Sequence, residues 1–255
     1  MLLTSALLTA LPRVRHGFTT RKGGVSTDHR TSWNFGPDDD PAALAENRKR
    51  LLTALGVPAA DLIQVSQVHG ARVVDGKDSL PTTEADGLVE SRSNKVLGIR
   101  TADCAPLLMA GIDGDGRTHI AAVHAGWRGA VANIQSVAVR TLTDRGVPIE
   151  EVRVAVGPMI GFDAFEVGDE VVEAARRLLD TAAPRLRKND RGRWHLDLSD
   201  LIIRALTMTG VRIQNIENVG GCTVDNPDLF FSHRRDRGQT GRHIAAIALV
   251  EEDSK

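Results

Sequence analysis

The sequence predicts an α+β protein in which strands and helices mix without strict alternation. Short apolar runs bounded by Gly, Asp or Pro recur, as in "KVLGIRTADC", "PLLMAGI" and "VRVAVGPMIG". Other segments repeat their apolar residues at helical spacing, as in "AALAENRKRLLTAL" and "LSDLIIRALTMTG". The order of the two types is irregular, which disfavours a doubly wound parallel sheet. At 255 residues the chain can bury a large core without a disulfide or metal merely to fold, and one domain over residues 1–255 is expected.

The elements follow in order. "MLLTSALLTALP" reads as an N-terminal strand, too short and too poor in flanking charge for a signal peptide. "DDDPAALAENRKRLLTALGVP" reads as a helix with Asp40 as its cap, Pro41 in its first turn and Gly56 at its end. "DLIQVSQVHGARVV" alternates apolar and polar residues and predicts a strand. Two strands flank Cys104. A turn at "DGDGR" precedes the strand "THIAAVHA". Val131, Ile134, Ala138 and Leu142 share one helical face, so His124 lies where a strand gives way to a helix. "EVGDEVVEAARRLL" and "LSDLIIRALTMTG" predict further helices. "NIENVGGCTV", "LFFSHRRD" and "GRHIAAIALV" predict late strands. The polar "APRLRKNDRGRWHLDL" between the helices predicts a surface loop or hairpin.

Composition narrows the function. The net charge of −1 argues against a nucleic-acid binder or a basic membrane patch. No apolar run is long enough to cross a membrane. Two cysteines far apart make no disulfide framework, so a cytoplasmic home is expected.

Three groups stand in similar settings: His69 in "SQVHG", Cys104 in "TADCAP" and His124 in "AVHAGW". Each sits at an apparent strand end beside Gly or Pro, where scaffolds place working groups. One thiolate and two imidazoles suit zinc, with copper as an alternative, and three protein ligands leave a position open. The same residues also fit a Cys–His nucleophilic pair. They fit as well a small buried thiol with two histidines held by backbone hydrogen bonds.

A longer series of segments carries a resemblance. "HGFTTRKGGVS", "WNFG", "ENRKRL", "QVHGARV", "ADGLV", "TADCAPLL", "AAVHAGWRGA", "GPMIGFDAFEVG", "HLDL" and "FFSHRRDRGQTGRHIAAI" occur in that order. The chain resembles the YfiH-like family, also called the multicopper polyphenol oxidase or laccase-domain family, over about residues 16–249. The resemblance implies a mixed α/β sandwich of the kind found in cysteine-hydrolase-like toxins. It implies a zinc-dependent purine nucleoside phosphorylase that also deaminates adenosine, with purine nucleosides and phosphate as its small-molecule partners. It assigns His69, Cys104 and His124 as metal ligands. The family has also been described as copper-dependent phenol oxidases and as peptidoglycan editing factors, which keeps a laccase-like oxidase and a Cys–His amidase as alternatives. Met159, Asp163 and Phe165 stand where family members often carry cysteine or tyrosine, which makes a multicopper site harder to build here.

On that resemblance, Arg21 and Arg128 are candidates to grip phosphate with a planar fork, and Arg128 stands at a helix start four residues after His124. Phe18 and Asn34 are candidates to touch the nucleoside, Phe18 being equally at home in a core. Trp127 is a stacking or core residue. Asp103 either orients a ligand histidine or forms a buried hydrogen bond. His233, Arg234, Arg235 and Arg242 read as a solvated basic hairpin, and Cys222 as a packed thiol.

Overall fold

The computed structural model describes residues 1–180 and 183–251. In chain order the N-terminal elements are β1 (Leu2–Leu3), α1 (Ala6–Thr9), β2 (Val14–Thr19), α2 (Pro41–Ala54), β3 (Asp61–Ile63), β4 (Val73–Asp75) and β5 (Gly87–Glu90). The central ones are β6 (Lys95–Thr101), β7 (Ala105–Ile112), β8 (Thr118–Ala125), α3 (Trp127–Val131), α4 (Ile134–Thr143) and β9 (Arg153–Val156). The C-terminal ones are β10 (Glu166–Val167), α5 (Asp169–Leu179), β11 (Leu186–Lys188), β12 (Trp194–Leu196), α6 (Leu198–Thr209), β13 (Ile216–Asn218) and β14 (His243–Leu249).

These elements form a mixed α/β sandwich. One sheet has the order β1-β2-β14-β6-β3 and the other β13-β9-β7-β8-β5-β4, while β10, β12 and β11 form a small separate sheet. Leu97 and Ile99 of β6 meet Leu108 of β7 and Ile120 of β8 between the two large sheets. The opposite residues of the six-stranded sheet, Leu107, Met109, Ala121 and Val123, pack against α4, α5 and α6. On the outer face of the five-stranded sheet, Val96, Ile244 and Ala246 pack with Leu51 and Leu55 at the end of α2. β8 is buried along its whole length because both its faces are covered, which is why "THIAAVHA" lacks polar alternation.

Several sequence expectations hold. Asp40 caps α2 through Ala43 N at 2.9 Å, and Gly56 takes a left-handed conformation (φ +74°) just after it. The polar "APRLRKNDRGRWHLDL" contains the β11–β12 hairpin.

Others do not. The N-terminal apolar run is not one strand: Ser5 Oγ accepts from Leu8 N at 3.2 Å and starts α1. "DLIQVSQVHGARVV" supplies β3 to one large sheet and β4 to the other, with a loop between them. The predicted helix through Val131 breaks at left-handed Asn133 (φ +64°) into α3 and α4. "LFFSHRRD" forms turns, because its amides meet nearby turn carbonyls and side chains rather than a neighbouring strand. Phe231 N donates to His243 Nε2 at 2.7 Å, Arg234 N to Asp103 Oδ2 at 2.6 Å and Arg235 N to Ser232 Oγ at 3.1 Å.

Two buried histidines accept backbone protons. Ser5 N donates to His16 Nε2 at 2.8 Å, as Phe231 N does to His243. Burial pushes His16 down to about 4 and His243 down to about 3. Their folded pKa values lie below those of the unfolded chain. The stability they confer is therefore full above the unfolded histidine range and is lost as pH falls toward the folded values. Lowering pH from 7 to 5 should cost about 2 kcal/mol per histidine, read as a falling urea midpoint, and His16→Gln should remove part of that slope.

Candidate metal centre

His69 lies in the loop that carries the chain from the five-stranded to the six-stranded sheet. Its backbone is left-handed (φ +61°). The Asp86 carboxylate holds that conformation, accepting from Val68 N at 3.2 Å, His69 N at 3.0 Å and Gly70 N at 2.7 Å. Asp86 stands just before β5 and is fully buried. Its Oδ1 also lies 2.7 Å from His124 Nδ1. An ionised carboxylate only accepts, so Nδ1 carries the proton and His124 presents Nε2 as its free ligand atom. Burial alone would raise Asp86, yet the hydrogen bonds from His124 and the loop amides hold it below the usual carboxylate range.

Cys104 occupies the three-residue crossover from β6 to β7, again between the two large sheets. Its neighbour Asp103 is left-handed (φ +83°) and its carboxylate accepts from Thr223 Oγ1 at 2.6 Å and from Arg234 N. Asp103 therefore fixes the crossover, and the carboxylate that orients a ligand histidine is Asp86. Cys104 Sγ lies 3.9 Å from His69 Nε2, and the ligand atoms of His69, Cys104 and His124 all lie within 4.8 Å of one another.

Burial would raise the Cys104 thiol, but His124 and His69 overcome it and bring the thiol down to about 6. Burial would lower His124, but Asp86 and Cys104 raise it to about 9. The imidazoles thus favour the thiolate form of Cys104, and Asp86 and Cys104 favour the charged form of His124. Gly126 keeps the space open: a Cβ there would stand 3.0 Å from His69 Cδ2 and 3.1 Å from Cys104 Sγ. Donors around a tetrahedral ion with bonds of about 2.0–2.3 Å stand roughly 3.3–3.8 Å apart. The observed separations, 3.9 Å from Cys104 Sγ to His69 Nε2 and up to 4.8 Å within the group, are wider than that, and one thiolate with two imidazoles is a donor set that can hold a metal ion.

The three groups share a cleft of about 540 Å³ with Ile160, Phe165 and Leu198 on an apolar side and Gln67, Arg100 and Arg242 among its polar groups. Trp127, His233 and Arg234 also reach it. Among the sequence candidates, four lie elsewhere. Arg128 is exposed and stacks its guanidinium 4.5 Å from the Trp127 ring. Arg21 donates to Thr31 O at 2.9 Å and Pro227 O at 3.0 Å and lies over Phe231. Phe18 is buried between the sheets, where a Cβ on Gly157 would come within 2.3 Å of its ring. Asn34 is fully buried, and its Oδ1 accepts from Arg242 N at 2.6 Å, so it touches the cleft only through Arg242.

The hairpin expected to be solvated divides. His233, Arg234 and Arg242 line the cleft, whereas Arg235 pairs with Asp236 at 2.8 Å. Sequence reasoning missed Asp86, Arg100 and Gln67 as site residues. Asp86 had a signal in "ADGLV", a lone acid opening an apolar strand. Cys222 accepts from Gly161 N at 3.2 Å, and burial pushes its thiol up.

The two cysteines should separate cleanly by alkylation of metal-free protein. Cys104 should react at half its plateau rate near pH 6, and Cys222 should stay slow until well into the alkaline range. Mass spectrometry of iodoacetamide-labelled peptides across pH checks this.

Comparison with known proteins shows the family and the fold. Residues 15–250 match the family described as multi-copper polyphenol oxidoreductase laccase. A Deinococcus radiodurans protein named purine nucleoside phosphorylase is 39% identical over 243 residues, covering 95% of this chain and 92% of its own. The crystal structure of YlmD from Geobacillus stearothermophilus superposes with a TM-score of 0.87 at 31% identity, over 97% of this chain and 94% of that one. The crystal structure of the Bacillus licheniformis hypothetical protein YfiH gives 0.85 at 31% identity, over 92% of each chain. The chain belongs to the YfiH-like, laccase-domain family.

Proposed function

We propose that this protein is a zinc-dependent purine nucleoside phosphorylase that also deaminates adenosine. The observation that carries the reading is the convergence of His69, Cys104 and His124 on one cleft that has both an apolar wall and guanidinium groups. The name of the Deinococcus relative supports the substrate class.

Zinc held by Cys104 Sγ and the two imidazoles would supply Lewis acidity beside the bound substrate. The protein's own groups do the rest. Asp86 keeps the proton on His124 Nδ1 and fixes the ring. Ile160, Phe165 and Leu198 give a flat base an apolar surface. Polar groups of the cleft can receive the ribose hydroxyls and an anion. Phosphorolysis uses phosphate to attack ribose C1′, and deamination uses water to attack C6 of the base.

A laccase-like copper oxidase has less support. Among the described residues one three-donor group can hold a metal, and Met159, Asp163 and Phe165 add no soft ligand cluster. A Cys–His amidase is the second reading that an observation favours, because the Cys104 thiol is lowered by two imidazoles.

Metal analysis with a nucleoside panel separates these readings. Protein purified without added metal should hold about one zinc per chain. Inosine should be consumed only with phosphate, and adenosine should be deaminated with or without it. Stripping the metal, or Cys104→Ala, should abolish both reactions while the circular dichroism spectrum stays unchanged. Full turnover by stripped protein would overturn the metal reading. Asp86→Asn should weaken zinc affinity by about 10–100-fold, measured by competition with a chromogenic chelator.

A further inference from the structure

Among the described residues, two cleft arginines, Arg100 and Arg242, make no ion pair with a carboxylate. Arg100 of β6 pairs with Ile244 of β14. Arg242 immediately precedes β14, whose His243 pairs with Thr101 of β6, so both arginines stand at the same end of this strand pair. Both line the cleft.

Each is fixed at its backbone. Arg100 N donates to Gln67 Oε1 at 2.9 Å, and Gln67 Nε2 returns a bond to Arg100 O at 2.8 Å. Arg242 N donates to Asn34 Oδ1. The guanidinium contacts are carbonyls: Val65 O at 3.3 Å for Arg100, and Thr240 O at 3.3 Å and Gly241 O at 3.1 Å for Arg242. Asp38, a carboxylate of the same cleft, lies 3.4 Å from Arg30.

Burial, then the charges of Arg48 and Arg242, push the Arg100 guanidinium below its usual value. Like charges gathered in a half-buried place repel one another, and an anion between them relieves that repulsion. The other cleft arginine, Arg234, already donates to Ala164 O at 3.3 Å and Glu166 O at 3.1 Å.

We infer that Arg100 and Arg242 form the anion subsite of the cleft and hold the orthophosphate that attacks the nucleoside. This rests on the phosphorylase reading above and moves the phosphate away from Arg21 and Arg128. A phosphate oxygen forms the bond to ribose C1′ as the C1′–N9 bond breaks. The bonding pair leaves with the purine, and the proton of the attacking phosphate hydroxyl ends on the base. The two guanidinium forks neutralise the phosphate and aim that oxygen. Gln67 and Asn34 are positioning residues, acting through the arginines they hold.

The test uses zinc-loaded protein, inorganic phosphate and the variants Arg242→Gln, Arg100→Gln, Arg100→Lys and Arg128→Gln. Arg242→Gln and Arg100→Gln should each raise the phosphate KM for inosine cleavage by about 10–100-fold, the loss of a charge-assisted hydrogen bond. The inosine KM and the adenosine deamination rate should change little. Arg100→Lys should recover part of the loss. Calorimetry with inorganic phosphate alone should show the same weakening without any turnover. Should Arg100→Gln fail to fold, Arg242→Gln and Arg100→Lys still decide. An unchanged phosphate KM in these variants, or a rise confined to Arg128→Gln, overturns the subsite and leaves phosphorolysis standing. If wild type cleaves no nucleoside but binds phosphate in a manner that Arg242→Gln abolishes, the subsite stands and the phosphorylase reading falls.

Discussion

The Asp86 carboxylate ties the candidate site together. It accepts three consecutive amides of the His69 loop and the Nδ1 proton of His124, and its own carbonyl accepts His124 N at 2.7 Å. A buried carboxylate is costly unless its oxygens are filled, and here both are. One residue therefore sets the backbone of one imidazole and the ring of the other. Without it the left-handed backbone at His69 would lose its restraint, and His124 could present either nitrogen.

The architecture explains why the donors meet. The chain changes sheets twice near the site, once through the loop that carries His69 and once through the crossover that carries Cys104. His124 stands near the end of β8, on the strand face that holds Ile120 and Ala122 between the sheets. Two close-packed sheets leave little slack, so side chains at their junction hold their separation. Left-handed backbone at His69 and Asp103 marks the same junction. Both residues lie where side-chain and backbone hydrogen bonds override local preference.

The charge distribution of the cleft follows the same logic. Cys104 and His124 sit on the side where the sheets meet, and the guanidinium groups come from the end of β6 and from the residue just before β14. Arg128, at the start of the five-residue α3, turns outward onto Trp127, so sequence proximity to His124 did not become proximity in space.

The sequence by itself determined the kinds of element and the three donor types. Gly, Pro and capping residues punctuated α2, and continuous apolar runs marked β7 and β8, because these signals act within a few residues. It also marked His69, Cys104 and His124 through their shared strand-end settings. It misjudged "DLIQVSQVHGARVV", which divides between two sheets, and "LFFSHRRD", whose amides meet turn carbonyls and side chains rather than a neighbouring strand. Only the tertiary structure decided that Asp86 serves both histidines, that Asn34 holds Arg242, and that Phe18 faces the core. Asp86 and His124 are 38 residues apart, and Asn34 and Arg242 are 208 apart. Such pairings depend on strand order and register, which no local pattern encodes.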